Sequence, residues 1–209
     1  MIPKHKSYRQ AFEKALQEIR SLDPQVMAAR SGCAYRERGG GSELILDFFG
    51  IPHTVTFPGV EILSPAKKTI SLVTKIMLLH YLIRADGTAE RNDLIPYKEV
   101  PGGLMYAGVF ERRVAAPLIS AFGQDPQQFL RAGMAMGGES RSFGDVSFLL
   151  RVLPRVSVTL VLWKGDDEFP PSIQVLFDRS IDRYLSLEDI VVLGEMTSKR
   201  LTARGSRGR

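Results

Sequence analysis

The segment over residues 153–200 constrains the fold of this chain more than any other part of the sequence. Two runs rich in β-branched and aromatic residues, at 157–163 and 173–177, stand on either side of an acidic turn. Such runs, separated by turn residues, are typical of paired strands. Ser186 opens a Ser-Leu-Glu-Asp sequence, which predicts a capping box at the start of a final helix. The segment therefore predicts a β-hairpin followed by a capped helix.

The remaining hydrophobic periodicity predicts further elements along the chain. Helices are predicted over residues 7–21, 66–84, 106–122 and 127–136, and strands over 43–49, 53–57, 95–101 and 148–152. Because helices and strands do not alternate strictly, we expect an α+β fold, with a mainly antiparallel sheet of about five strands and helices packed on it. One domain is predicted over residues 1–198, followed by a basic tail at 199–209 whose Gly, Ser and Arg content predicts disorder.

The net basic charge of the chain belongs to that tail. Of the 28 Lys and Arg residues, five lie in the last eleven positions, and the other 23 equal the number of Asp and Glu residues. The net charge of +5 therefore describes the tail rather than a basic binding face. Nucleic-acid binding through the tail is the weakest interpretation, because no recognisable nucleic-acid module accompanies it.

Cysteine usage and hydropathy restrict the kinds of site and the location of the protein. Cys33 is the only cysteine, which excludes an internal disulfide framework and a cysteine-based zinc or iron–sulfur site within one chain. The longest apolar segment, over residues 69–83, is too short to span a bilayer and contains Lys75 and His80. With one thiol and no signal peptide, the sequence predicts a cytoplasmic protein that does not associate with a membrane.

The acidic turn is the first candidate site. It contains Asp166, Asp167 and Glu168, and Asp178 ends the next predicted strand. Adjacent carboxylates can bind a hard cation or, with a raised pKa, act as a general acid or base. A solvated turn uses the same residue types, because Asp and Gly supply local hydrogen bonds and unusual dihedral angles, and this interpretation is favoured. Trp163, just before the turn, is interpreted as a packing anchor that could also serve as a ligand platform.

The turn at Gly102 and Gly103 is a second candidate, because it precedes the helix predicted to begin at Tyr106. Paired glycines before a helix can present their N–H groups to an anion. The turn lacks the Lys and Ser/Thr of a P-loop and the spacing of a dinucleotide-binding fingerprint, so a plain turn is favoured.

The histidines His5, His53 and His80 do not form a metal-ligand pattern, and no metal site is predicted. His80 lies in the apolar helix predicted over residues 66–84 and is interpreted as a core or groove histidine. The functional alternative is an axial ligand to the iron or cobalt of a tetrapyrrole, which needs only one imidazole.

Three segments together resemble an uncharacterised family, the domain-of-unknown-function family 3786 of anaerobic bacteria and archaea. They are Leu-His-Tyr-Leu at 79–82, Tyr-Lys-Glu-Val-Pro-Gly-Gly at 97–103 followed by Tyr106, and the block over 153–193 with Leu-Trp-Lys-Gly-Asp-Asp-Glu-Phe-Pro at 162–170. The similarity covers nearly the whole chain apart from the basic tail. Some similar proteins carry an additional iron–sulfur segment with several cysteines, which this chain lacks. The resemblance implies a link to metallocofactor or corrinoid metabolism but no self-contained redox role.

These observations predict a non-catalytic binding or accessory module, because no catalytic constellation is recognised. The resemblance implies a metalloenzyme or a corrinoid-pathway protein as its partner, and no particular cofactor is assigned. The alternative is an enzyme whose carboxylate site lies around residues 165–168, together with His80 or Tyr106.

Overall fold

The computed structural model describes the backbone of residues 4–65 and 69–206, and the side chains of these residues from residue 7 onward. The predicted α+β class is confirmed, since helices accompany two antiparallel sheets. The strands form one sheet of four and one of five rather than a single sheet of about five. The chain divides into two compact units, and whether residues 1–198 behave as one domain stays a prediction.

Unit one consists of residues 1–89, 153–155 and 183–185. In its described part, the sheet order is β1-β2-β3-β4, and all its neighbouring strands are antiparallel. Its elements are α1 (Lys4–Ile19), α2 (Pro24–Ser31), β1 (Ala34–Arg38), β2 (Gly41–Phe48), β3 (Ile51–Phe57), β4 (Ile62–Leu63) and α3 (Leu72–Arg84).

Local sequence explains where the elements of unit one begin and end. The predicted hairpin is confirmed as β2 and β3, joined by Phe49 and Gly50, which both have a positive φ as a type I′ hairpin turn requires. The helix predicted over 66–84 begins later, at Leu72, because the Ser71 side chain caps it by accepting the N–H of Thr74. Residues 66–68 of that prediction lie outside the described residues.

Unit two consists of residues 90–152, 156–182 and 186–209. The order of its described strands is β5-β9-β8-β7-β6. Its strands are β5 (Leu94–Pro96), β6 (Glu139–Arg141), β7 (Val146–Leu153), β8 (Val156–Trp163) and β9 (Ser172–Asp178). Its helices are α4 (Ala107–Phe110), α5 (Ala116–Phe122), α6 (Pro126–Met134) and α7 (Leu187–Gly205), with 3-10 helices at Tyr97–Glu99, Gly103–Tyr106 and Arg179–Arg183 and a π-helix at Glu111–Ala115.

Two predicted elements of unit two differ from the observed ones near a proline. The strand predicted over 95–101 ends at Pro96 because the chain turns there into the 3-10 helix Tyr97–Glu99, in which the N–H of Val100 donates to the Tyr97 carbonyl. The helix predicted over 106–122 contains the π-helix Glu111–Ala115 immediately before α5. Pro117 cannot donate to the carbonyl of Arg113 four residues earlier, so the wider turn accommodates it within a continuous helical path.

The final helix confirms the capping box but not the start of the tail. The Ser186 side chain accepts the N–H of Asp189, and the Asp189 carboxylate accepts the N–H of Ser186. Helix α7 then continues to Gly205, so residues 199–205 are helical where disorder was predicted, because Leu201 and Gly205 are buried in unit two. Residues 207–209 lie outside the described residues. Within the described part of the chain, no helix combines the length and apolar character needed to cross a bilayer.

Candidate functional site

The acidic turn is an exposed turn stabilised by its own backbone. The Asp166 carboxylate accepts the N–H of Phe169 at 2.7 Å and the N–H of Glu168 at 2.9 Å. These hydrogen bonds hold the pKa of Asp166 below its usual range, with the bond from Phe169 as the main cause. Asp167 and Glu168 are exposed to solvent. A general acid at neutral pH needs a raised pKa, so Asp166 is suited to holding the turn rather than to donating a proton.

Asp178 is buried, and the protein itself satisfies its carboxylate. It accepts N–H groups from Arg91, Asn92 and Ser180 and the Ser180 hydroxyl, at 2.6–3.0 Å. Burial favours the neutral carboxyl, but the hydrogen bonds from Ser180, Arg91 and Asn92 together outweigh it and lower the pKa. Asp178 therefore fixes the loop before β5 to the end of β9.

The candidate carboxylates do not converge. The acidic turn precedes β9 and Asp178 ends it, which puts them about 20 Å apart along a seven-residue strand. Trp163 pairs with Ser172 at the opening of the turn and is half-buried. Among the residues that the structure describes, no group of three or more His, Cys, Asp and Glu side chains could hold a metal ion.

His80 lies half-buried in α3 of unit one, beside a buried tyrosine that organises this unit. The Tyr81 hydroxyl donates to the Ser31 carbonyl at 2.5 Å and accepts the N–H of Arg155 at 3.1 Å. Its ring stacks on Tyr184 with centroids 6.0 Å apart. Burial raises the pKa of Tyr81, so its hydroxyl stays protonated and serves the packing of unit one.

Cys33 is half-buried in the same unit. Burial raises the pKa of its thiol to about 11, although a hydrogen bond with Ser31 acts in the opposite direction. At neutral pH the thiol is therefore protonated, whereas the nucleophilic form is the thiolate. The arrangement is typical of a structural cysteine.

The glycine turn also has a structural explanation. Gly103 is buried and donates its N–H to the Val100 carbonyl at 2.7 Å, so this N–H does not face an anion. A Cβ at Gly103 would overlap the carbonyl oxygen of Tyr97. Gly102 has φ +80°, the left-handed conformation that glycine adopts without strain. The two glycines therefore form the tight turn that precedes Tyr106.

That turn carries a surface that the sequence did not predict. Leu104 is 73% exposed, Met105 87% and Tyr106 52%, and together we call them the apolar tip. They lie in the 3-10 helix that immediately precedes α4. One sequence feature could have indicated this surface, namely the Leu-Met pair directly after two glycines. An apolar pair at that place fits neither the alternation of a strand nor the spacing of a helix.

A groove of about 450 Å³ lies in unit two between β9 and the chain that precedes and follows the apolar tip. Tyr97 and Phe110 both line it, and their rings stack with centroids 4.6 Å apart and planes at 6°. The charged side chains that line it are Lys98, Glu99 and Glu111. The groove therefore combines an apolar wall with a small number of charges, as binding sites commonly do.

Three basic residues of the predicted tail, Lys199, Arg200 and Arg204, belong to the described part of the chain and lie in α7. Lys199 pairs with Glu195 at 2.7 Å, and the Arg204 guanidinium donates to the Ala135 carbonyl at 2.5 Å. Burial lowers the pKa of Arg200. These three charges therefore belong to a folded helix rather than to a free basic segment.

Comparisons with known proteins identify a family but no function. Residues 23–200 match the family described as Domain of unknown function (DUF3786), and the chain belongs to this family. No curated protein and no solved structure is significantly similar to the chain.

Proposed function

We propose that the protein is a non-catalytic binding module that contacts a partner protein through the apolar tip and the groove of unit two. The observation that carries this proposal is the exposure of three consecutive apolar side chains, at Leu104, Met105 and Tyr106. Exposed apolar clusters with a polar rim are typical of protein–protein contact sites. Met and Tyr are also enriched in such interfaces.

The arrangement of carboxylates favours binding over catalysis. Asp178 is satisfied by its neighbours, and the Asp166 carboxylate is occupied by the N–H groups of Glu168 and Phe169. An enzyme with a site around residues 165–168 is the alternative. It requires a second reacting group beside this exposed turn, supplied by a substrate or a partner.

The family resemblance supports a more specific role for the module. We infer that the partner is a metalloenzyme or a protein of corrinoid or other tetrapyrrole metabolism. His80 could serve such a pathway directly as an axial ligand, but it does not line the groove of unit two. The partner-binding role therefore rests on unit two, and the metallocofactor link rests on the resemblance.

The test is capture of a partner by tagged protein from an oxygen-free extract of the source organism. The double variant Leu104→Ser/Met105→Ser replaces the two most exposed side chains of the apolar tip, neither of which belongs to the core. Leu63→Ser is the matched control, since Leu63 is 49% exposed in β4 of unit one. We expect one protein, identified by mass, to be retained in a fixed stoichiometry by the wild type and by Leu63→Ser. We expect the double variant to retain it at least about tenfold less.

Identical retention by the wild type and the double variant would contradict the binding role of the apolar tip. The absorbance spectrum and metal content of the captured complex test the finer proposal separately. A corrinoid or other tetrapyrrole in the complex would support the metallocofactor link. Its absence from a complex that depends on the apolar tip would overturn that link and leave the binding role in place.

A further inference from the structure

The edge of β9 is incompletely paired within unit two. On one side β8 pairs with β9 from Ser172 to Phe177. On the other side β5 pairs only with Leu176, Phe177 and Asp178. In the described part of the chain, the segment of β9 over residues 172–175 therefore has no strand neighbour on the β5 side. Residues 173–175 of this segment line the groove.

The register shows which peptide groups face this open edge. The N–H of Arg179 donates to the Asp93 carbonyl at 2.8 Å. Asp93 and Arg179 therefore form a hydrogen-bonded pair directly beside the first pair of the ladder between β5 and β9, Leu94 with Asp178. Peptide groups of an antiparallel strand point alternately to its two sides. Residues at even distances from Arg179 therefore direct their N–H and C=O groups toward the β5 side, and these include Val175 and Ile173.

The open edge results from the path of the chain after Pro96. After Pro96 the chain turns at once into the 3-10 helix Tyr97–Glu99 instead of continuing along β9. The π-helix Glu111–Ala115 contributes the opposite wall of the groove. A four-residue stretch of edge is about 13 Å long, which suits a short extended segment.

We propose that an extended segment of the partner protein adds to β9 as a strand in this groove, occupying the position that β5 leaves empty. This inference rests on the proposed function and specifies its mode of binding. The segment lacks proline where its amides face β9, since proline cannot donate to a ladder. Among the described residues that line the groove, two of the three charged side chains are acidic, so the segment carries a Lys or Arg that contacts Glu111. Main-chain hydrogen bonds supply its affinity, as in other strand-addition complexes.

The test adds increasing amounts of a synthetic peptide, Thr-Val-Lys-Val-Thr with blocked ends, to the isotope-labelled protein. The amide chemical shifts of the protein are recorded at each step. We expect the shifts of Ile173 and Val175 to move in a saturable manner. Two methylated versions of the peptide serve as a matched pair, because methylation removes alternate amide donors. The version with methylated amides on the β9 side should bind at least about tenfold more weakly, and the other should bind like the parent peptide.

The charge contact has its own matched variants. Glu111→Gln should weaken binding of the Lys peptide about two- to fivefold, as expected for a contact at an exposed rim. Glu168→Gln, which makes the same change in the exposed acidic turn, should leave it unchanged. A peptide with Glu in place of Lys should bind more weakly to the wild type than the parent peptide does.

The outcomes separate this inference from the proposed function. Equal binding of both methylated peptides, or no shift at Ile173 and Val175, would overturn strand addition. If capture of the partner still depends on the apolar tip, the proposed function then stands without strand addition. If the double variant Leu104→Ser/Met105→Ser also retains the partner, the proposed function and the strand-addition inference both fail.

Discussion

At the scale of single residues, hydrogen bonds give the candidate carboxylates Asp166 and Asp178 a structural role. Asp178 was a candidate because a carboxylate at a strand end can act as a ligand or a base. In the structure its oxygen atoms accept donors from Ser180 and from the backbone at 91–92, which joins two segments distant in sequence. Sequence could identify the carboxylate, but its donors are set by tertiary contacts.

Asp178→Asn should destabilise unit two by about 2 kcal/mol at pH 7, because it weakens several charge-assisted hydrogen bonds at a buried position. The folded-state pKa is lowered, so the wild-type contribution is present above the ordinary value of 3.8 and is lost as the pH falls through the folded value. The difference between wild type and variant should therefore shrink below pH 3.8. Urea unfolding of the wild type and the variant, at pH 7 and below pH 3.8, measures this difference in the free energy of unfolding.

Asp167→Asn is the control for this experiment, since it makes the same change in charge in the exposed turn. Equal stabilities for the wild type and Asp178→Asn at pH 7 would show that the carboxylate does not hold the loop.

Cys33 should react slowly with a thiol reagent in the folded protein. With its pKa raised to about 11, the thiolate fraction at pH 8 is small. We expect modification roughly 100-fold slower than in the urea-unfolded chain, with the rate still rising above pH 9. A folded-state rate close to that of the unfolded chain would contradict the structural role assigned to this thiol.

At the scale of elements, the binding surface of unit two follows from turns rather than from regular structure. The strand β5 ends at Pro96, the chain tightens at Gly103, and the π-helix Glu111–Ala115 follows α4. These three irregularities form the groove and present the apolar tip. The hairpin of β2 and β3 was predictable because its turn residues and alternating strands are local signals. The open edge of β9 was not, because strand register depends on the neighbours.

Gly103→Ala should destabilise the protein by about 2 kcal/mol or more, because the added Cβ overlaps the Tyr97 carbonyl oxygen. Gly108→Ala is the matched control, since a Cβ there meets nothing within 4 Å and alanine favours a helix. Thermal unfolding should show a lower midpoint for the first variant and an equal or higher one for the second. A Gly103→Ala variant as stable as the wild type would contradict the tight-turn explanation.

The open edge of β9 should be visible in amide hydrogen exchange of the free protein. The N–H of Ile173 faces the groove, whereas that of Gln174 faces β8 in the register pair with Val161. We expect Ile173 to exchange at least about tenfold faster than Gln174. Equal protection of the two amides would show that another group already covers this edge.

At the scale of the whole molecule, the division into two units depends on contacts that no local pattern reveals. Residues 153–155 and 183–185 belong to unit one, although most of the chain around them belongs to unit two. Hydrogen bonds explain their place, since Arg155 donates to the Tyr81 hydroxyl and Tyr184 donates to the Thr88 carbonyl. The sequence predicted the α+β class from its mixed periodicities. It predicted one sheet instead of two because strand partners are chosen by tertiary packing.

Amide hydrogen exchange of the protein with and without its captured partner tests the binding role of unit two. Exchange in the complex should be slower at Ile173 and Val175 and in the apolar tip over residues 104–106. Protection confined to unit one or to the acidic turn at 165–168, with the groove unchanged, would contradict this binding role.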